Sequence, residues 1–444
     1  MFLFGCATTG AESYEANRAH AERAGAPDQQ AEQQRQVDDD RALSGAVLER
    51  GAYVIAVLHR NRSVESARQA WRAAIARVKQ SGVFEDPMVT LEVAPLSIGS
   101  STARFGYNAM ISQRLPWPGK RALEESAAKA EADAVRSDYD AARRELALSA
   151  SLLYDQYFVT ARSLDINRAH VALMRSMQAA ATAQYETGRA SAQDPLQAEF
   201  ELTHMEHDAV VLASQHDVTV AQMNELLHRA PELALPPPPK DLPLPPAPDL
   251  AEAQRLENEA VDHRPDIRAA QHHVIAEQAR ADRAQREYLP DVTVSTSYNS
   301  MWDMPEHRWM VGLSFDLPIQ TGRRGGAVEE ARAMRAQFEA DAARMSDRAR
   351  TQVVVSLKQL EESVHVLHLY EERLLPIARD EVEAARNAFT SSQAPFGAVI
   401  GAEKNLRQVE LDMQIARAEY NRRRGEFDRA LGRIPGLDGK EGAP

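Results

Sequence analysis

The sequence predicts a mainly α-helical protein that also carries four membrane-crossing β-strands, with the whole pattern duplicated. Three observations predict this fold class. Only 6% of the 444 residues are aromatic, two proline-poor runs show helical spacing of apolar residues, and four short runs alternate apolar with polar residues. Few aromatic residues together with abundant Ala, Glu, Gln and Arg favour long helices that pack on one another.

The long helices are predicted from two runs, from about Lys120 to Tyr185 and from about Arg323 to Phe389. Pro376 is the only proline within them, and apolar residues recur every three or four positions. At 1.5 Å per residue, about 65 helical residues extend roughly 100 Å. Helices of this length must pack along their sides against partners, as in a coiled coil.

The strands are predicted at about 87–95, 104–115, 290–299 and 308–318. In the third run Val292, Val294 and Tyr298 alternate with Thr, Ser and Asn. A run of about nine to eleven residues is long enough for a tilted strand to cross a bilayer. Four strands cannot close a barrel around water, so several copies would have to pool their strands. A small soluble sheet packed on helices is the alternative.

Four segments of the first half match four segments of the second half, in the same order and at nearly one offset. The matched residues are 61–67 with 264–270, 87–91 with 290–294, 113–121 with 315–324, and 185–202 with 389–406. A proline-rich bridge separates the halves, with Pro236 to Pro239 consecutive, and such a run is stiff and cannot be helical.

The duplication predicts five divisions of the chain. They are an N-terminal segment at 1–40, a first repeat at 41–230, the proline bridge at 231–248, a second repeat at 249–432 and a tail at 433–444.

Composition and motifs exclude several classes of function. The net charge of −13 argues against a nucleic-acid partner, which would need a basic surface. Phosphate-binding loops and hydrolase or metalloprotease motifs are missing, so we predict neither an enzyme nor a cofactor. Histidine pairs such as His204 with His207 and His365 with His368 lack a nearby cysteine, so no metal site is predicted.

The single cysteine, Cys6, lies in Leu3-Phe4-Gly5-Cys6-Ala7, which is typical of a bacterial lipobox. A signal peptide needs a longer apolar run than the five residues before Cys6, so we hypothesise that the true start lies upstream. Cys6 would then be the acylated first residue of the mature chain. An incidental thiol is the alternative.

Several short motifs occur in order along residues 45–432. They are Arg264-Pro265-Asp266-Ile267 at the start of a helix that ends near Tyr288-Leu289-Pro290, the Leu-Pro pairs that end the second and fourth strands, and the Tyr-x-x-Gly turn at Tyr185 to Gly188. With the duplication and the lipobox, this set resembles the TolC-like outer membrane factor family, and in particular its lipid-anchored branch that serves RND-type pumps.

The resemblance implies a homotrimer in the outer membrane that extends into the periplasm. Its fold would combine a twelve-stranded transmembrane β-barrel, four strands per chain, with a long α-helical barrel. The implied function is passive conduction of drugs or metal ions from the periplasm to the exterior, as part of a tripartite efflux pump. Its partners would be a periplasmic adaptor protein, an inner membrane RND-type pump and outer membrane lipid.

The resemblance also implies sites at the two tight turns that follow the long helices. Adaptor docking would use Gly188, Arg189, Ala190 and Ser191 in the first turn and Ser391, Ser392, Gln393 and Ala394 in the second. Asp194 falls where family members carry a carboxylate that constricts the pore, and three copies would favour cations. A helix N-cap is the alternative role for Asp194.

Two other functions remain open from the sequence. A type I secretion duct for protein cargo would share the fold and differ in its partners. A soluble coiled-coil scaffold would explain the long helices and the acidity, but not four alternating strands at matching positions of two repeats.

Overall fold

The computed structural model describes residues 29–99, 101, 104–246, 250–391 and 393–437. Cys6, Ser392 and the end of the proline bridge lie outside these residues. The described chain forms two compact units. We call Ala67–Tyr139 with Asp266–Met345 the sheet unit, and the described residues of Pro27–Ser66, Asp140–Pro265 and Ser346–Pro444 the helix unit. Each unit therefore combines segments from both repeats, which linear division of the sequence does not predict.

Helices make up most of the described chain, and the longest has 67 residues. In chain order they are α1 Gln29–Leu43, α2 Arg50–Arg60, α3 Arg62–Gln80, α4 Lys120–Glu186, α5 Gln193–Leu226, α6 Ala253–His263, α7 Pro265–Arg286, α8 Thr321–Leu369, α9 Leu375–Thr390 and α10 Phe396–Ala430. Among the helices described, none combines the length and the apolar character that a membrane span requires.

One four-stranded antiparallel sheet contains β1 Met88–Val93, β2 Tyr107–Leu115, β3 Val292–Asn299 and β4 Trp309–Phe315. The strand order follows the chain, and each strand is somewhat shorter than its predicted run. β2 of the first repeat pairs with β3 of the second, in a register that places Leu115 opposite Val292. The sheet therefore joins the two repeats and leaves β1 and β4 as its edges.

The sequence predicts a continuous second long helix, but the structure interrupts it. Helix α8 ends at Leu369, a π-helical turn follows at Tyr370–Leu374, and α9 begins at Leu375. Pro376 has no backbone N–H to donate to the preceding turn, and its ring crowds the carbonyl there. A widened turn accommodates both effects, and the first repeat, which has no proline at this level, keeps one unbroken helix.

The core of the helix unit holds the proline bridge through tyrosine hydroxyls. The Tyr157 hydroxyl donates to the Pro236 carbonyl at 2.9 Å, and the Leu48 N–H donates to the Pro237 carbonyl at 3.0 Å. The buried Tyr154 hydroxyl donates to the Leu48 carbonyl at 2.6 Å. Because prolines have no N–H, this run cannot form a helix or a strand ladder. Core side chains and neighbouring backbone N–H groups therefore donate to its carbonyls.

Candidate channel wall and docking turns

One face of the sheet is mainly apolar and exposed, with Gln113 and Thr296 as polar members. Its large side chains include Val311, which is 80% exposed, and Leu91, which is 69% exposed. Pairing register places the following residues on this face: Val89, Leu91 and Val93 of β1, Tyr107, Ala109 and Ile111 of β2, Val292, Val294 and Tyr298 of β3, and Trp309, Val311, Leu313 and Phe315 of β4. A soluble sheet would bury such a face, so exposure on this scale indicates an apolar partner or lipid.

The opposite face of the same sheet is mainly polar, although it also carries Met88, Met110 and Met310. It carries Thr90 and Glu92 of β1, Asn108, Ser112 and Arg114 of β2, Thr293, Ser295, Ser297 and Asn299 of β3, and Ser314 of β4. The Asn108 side chain donates to the Glu92 carboxylate at 3.0 Å. The alternation predicted from sequence thus separates an apolar face from a water-compatible face, as strands of a transmembrane barrel require.

Four aromatic side chains form a row at one end of the apolar face. Ring centroids lie 5.8 Å apart between Phe105 and Tyr107, 5.8 Å between Tyr107 and Tyr298, and 5.3 Å between Tyr298 and Trp309. Aromatic residues concentrate at membrane interfaces, where one side of the ring meets lipid and the other meets water. The row lies where the apolar face ends, as an interfacial girdle would.

A buried ionic junction connects the strands to the helices, and sequence analysis missed it. Asp291, directly before β3, accepts hydrogen bonds from Lys120 at 2.9 Å, from Arg114 at 2.9 Å and from the Trp117 N–H at 3.0 Å. Lys120 also donates to the Leu289 carbonyl at 3.0 Å. Lys120 and Asp291 are both buried. Lys120 and Asp291 each lie in a segment that matches the other repeat, but no match pairs them with each other.

The first predicted docking turn closes α4 and opens α5. Gly188 has φ of 71°, and its N–H donates to the Tyr185 carbonyl at 2.9 Å, while the Arg189 N–H reaches the Gln184 carbonyl at 2.8 Å. This left-handed glycine satisfies the last carbonyls of α4. Gly188, Arg189 and Ser191 are exposed and Ala190 is half-buried.

The second predicted turn closes α9 without a left-handed glycine among its described residues. The Ser391 N–H donates to the Asn387 carbonyl at 3.1 Å, and the Gln393 and Ala394 N–H groups both donate to the Ala388 carbonyl. Pro395 then caps α10. Ser391 and Gln393 are exposed and Ala394 is half-buried.

The helices flanking the two turns pack in one apolar cluster. Its buried members are Met174, Ala181, Ala198, Met205, Phe396 and Ile400. The Phe389 and Phe396 rings, one on each side of the second turn, lie 5.4 Å apart. Two turns separated by about two hundred positions in the sequence are therefore supported by a shared core.

Asp194 does not cap α5, so the N-cap alternative is wrong. The cap position is Ala192, and Asp194 lies in the first turn of the helix. The Ser191 hydroxyl instead accepts the Gln193 N–H at 3.2 Å. A carboxylate in the first turn still interacts favourably with the helix dipole. Its role as a pore constriction remains a prediction.

The histidine pairs do not assemble into larger clusters in the described part of the chain, where no group of three or more His, Cys, Asp or Glu residues could hold a metal ion. The rings of His204 and His207 lie 6.3 Å apart, and both approach Asp208. Arg407 donates to Asp208 at 3.0 Å. Partial burial acts to raise the pKa of Asp208, but the Arg407 hydrogen bond and the nearby charges outweigh it, so this pKa lies below its usual value.

Residues 256–433 match the family model described as outer membrane efflux protein. The matched residues lie almost wholly in the second repeat. The resemblance to TolC-like outer membrane factors predicted from its motifs is thereby confirmed. No curated protein matches this chain by sequence.

Solved structures show the fold of this chain. CusC superposes with a TM-score of 0.74 at 16% identity, over 87% of this chain and 92% of CusC. The outer-membrane channel OprN gives 0.71 at 18% identity, over 87% and 90%. The CmeC outer membrane channel of Campylobacter jejuni gives 0.69 at 14% identity, over 86% and 84%. The predicted mainly α fold with a small strand sheet is confirmed.

Proposed function

We propose that the chain is the outer membrane channel subunit of a tripartite efflux pump. It conducts small molecules passively from the periplasm to the exterior. The observation that carries this proposal is the sheet with one exposed apolar face and one polar face, joined from both repeats. The similar structures named for outer membrane channels, OprN and CmeC, support the same reading.

Closure of the sheet requires further copies of the chain. Strands β1 and β4 are paired on one side only within this sheet. Unpaired backbone groups in hydrocarbon cost several kcal/mol each, so a membrane sheet must close on itself. Three copies, as the family resemblance implies, would give a twelve-stranded barrel in which β4 of one subunit pairs with β1 of the next.

Transport through such a channel is passive. Solutes would cross in water along the polar face, whose groups are mostly hydroxyls and amides, without contacting lipid. The driving energy must come from the inner membrane pump, an RND-type transporter, reached through the periplasmic adaptor. The exposed turns at Gly188 and Ser391 are the proposed adaptor contacts, and lipidation of Cys6 is the proposed additional anchor.

The experiment compares two neighbouring substitutions on opposite faces of β4. Leu313→Lys places a charge on the apolar face, where a lysine at the bilayer midplane costs about 2–4 kcal/mol. Ser314→Lys places the same charge on the polar face. Cells that produce each variant are fractionated, and the membrane extract is cross-linked and sized.

We expect wild type and Ser314→Lys as a cross-linked trimer in the outer membrane fraction, and Leu313→Lys depleted from it. Conductance steps of the purified wild-type chain in planar bilayers would confirm a water-filled path. A soluble monomer or dimer for wild type would overturn the channel and favour the scaffold. Equal behaviour of the two variants would show that the apolar face does not meet lipid.

A further inference from the structure

A buried polar layer crosses the helix unit beside the apolar cluster that supports the turns. Arg407 of α10 donates to Asn167 of α4 at 3.1 Å and to Asp208 of α5 at 3.0 Å. The Asn167 amide in turn donates to the Met205 carbonyl at 2.9 Å. Buried polar groups of this kind require complete pairing, because an unsatisfied member loses its hydration without compensation.

His170 lies one turn from Asn167 on α4, between two carboxylates of α10. Its Nε2 is 3.0 Å from Oε2 of Glu410, and its Nδ1 is 4.0 Å from Oε2 of Glu403. The His170 side chain is 8% exposed and that of Glu403 only 1%. An imidazole from the first repeat thus meets two carboxylates from the second.

One oxygen of this arrangement has no hydrogen-bond partner among the described residues. Arg386 of α9 donates to Oε1 of Glu403, whereas Oε2 is buried and unpaired. A neutral imidazole carries a single N–H and can serve only one of the two carboxylates. An imidazolium carries two, so it can donate to Glu410 and turn its other N–H toward Glu403.

We propose that His170 is a proton-operated latch that ties α4 of the first repeat to α10 of the second. In the protonated state both carboxylates face a donor, and the contact between the helices is strongest. Loss of the proton removes one donor and one positive charge from between two carboxylates. The latch therefore holds while the imidazole carries its second proton and loosens when that proton is lost.

The other charges near His170 come from each helix that packs around it. On α9 they are Arg379, Glu383 and Arg386, and on α10 they are Glu403, Arg407 and Glu410. On α5, Asp208 is held by Arg407, and Glu201 lies 3.8 Å from Lys404 of α10. His204 and His207 of α5 also contact Asp208, so the assignment of any pH dependence to His170 requires a variant of His170 itself.

The latch can be tested by hydrogen–deuterium exchange on the full-length, membrane-extracted protein. Peptides covering residues 167–174 and 403–410 are followed at about pH 5.5 and about pH 7.5 and corrected for the intrinsic pH dependence of exchange. We expect roughly tenfold stronger protection at the lower pH, as suits one hydrogen bond between charged groups. His170→Gln should remove this difference, since glutamine does not titrate.

The matched control is His365→Gln on α8, where the exposed imidazole lies 2.9 Å from the Glu361 carbonyl of its own helix. This variant should keep the wild-type difference. If His170→Gln fails to fold, Glu410→Gln serves instead, because it removes the closer acceptor, and it should reduce the difference. Equal protection of wild type at both pH values, or an unchanged difference in either His170→Gln or Glu410→Gln, would overturn the latch. Neither result depends on whether the chain conducts solute.

Discussion

The sheet unit and the helix unit distribute polarity in opposite ways. The sheet unit exposes its valine, leucine and phenylalanine side chains on one broad face. The helix unit buries charged and amide side chains such as Asn167, Glu403 and Arg407. An exposed apolar face is stable only against lipid or an apolar partner, whereas a buried charge is stable only when it is paired. Whether a side chain is buried in this protein therefore depends on what surrounds it, lipid, water or a charged partner, rather than on residue type alone.

The largest expected effect concerns a pair of charges that the sheet unit itself buries. Asp291→Ala would leave Lys120 buried beside the Leu289 carbonyl and an exposed Glu287, without its main partner. Removing one partner of a buried pair typically costs about 3–5 kcal/mol in the free energy of unfolding. Denaturant titration followed by tryptophan fluorescence measures this loss.

The control for this variant is Asp316→Ala. Asp316 is 75% exposed and lies 3.9 Å from Arg114, so its removal should change stability by less than about 1 kcal/mol. Equal losses in the two variants would mean that the Lys120–Asp291 junction is not a structural pair.

The next prediction concerns the apolar core of the helix unit. Met205 is fully buried in the cluster that supports both turns. Met205→Ala should lower the free energy of unfolding by about 2–5 kcal/mol, because it removes packing and leaves a cavity. Met334→Ala, at an exposed position of α8, should have little effect. Thermal unfolding followed by circular dichroism compares them, and a small loss at Met205 would argue against a shared core for the turns.

A smaller effect concerns Asp208, a partly buried carboxylate of the helix unit. The pKa of Asp208 is lower in the folded chain than its ordinary value. The folded chain therefore holds this proton less tightly than the unfolded chain, so Asp208 contributes stability above about pH 4. That contribution is lost as the pH falls through the folded pKa.

Asp208→Asn should flatten the acid side of the stability curve measured by urea unfolding between about pH 3 and pH 5. Asp217→Asn, at an 83% exposed carboxylate of the same helix, is the control and should leave the curve unchanged. An unaltered curve for Asp208→Asn would show that the Arg407 pair contributes nothing to acid stability.

The smallest effect compares one substitution in a turn and in a helix. Gly188→Ala forces alanine into a left-handed conformation at φ 71°, although nothing lies near the added methyl group. We expect a loss of about 1 kcal/mol in the free energy of unfolding. Gly401→Ala in α10 also meets open space but in helical backbone, so it should gain about 0.5–1 kcal/mol. If both substitutions changed the free energy of unfolding in the same direction, backbone conformation would not decide their effect.

The sequence predicted the four strands near their observed places because alternation along a strand is a local property. It also indicated both turns from the match between residues 185–202 and 389–406. It missed the π-helical turn at Tyr370–Leu374, since a proline signals an interruption but not its form. It also missed His170, because nothing near that residue in the chain differs from an ordinary exposed helix.

Residue spacing and order along the chain were enough to predict the duplication, the long helices, the two-faced strands and the resemblance to outer membrane factors. Tertiary packing selected which residues meet. It paired β2 with β3 across the repeats, placed Lys120 on Asp291, and set His170 against Glu403 and Glu410. Such contacts join residues more than one hundred and seventy positions apart, and packing rather than local spacing selects them.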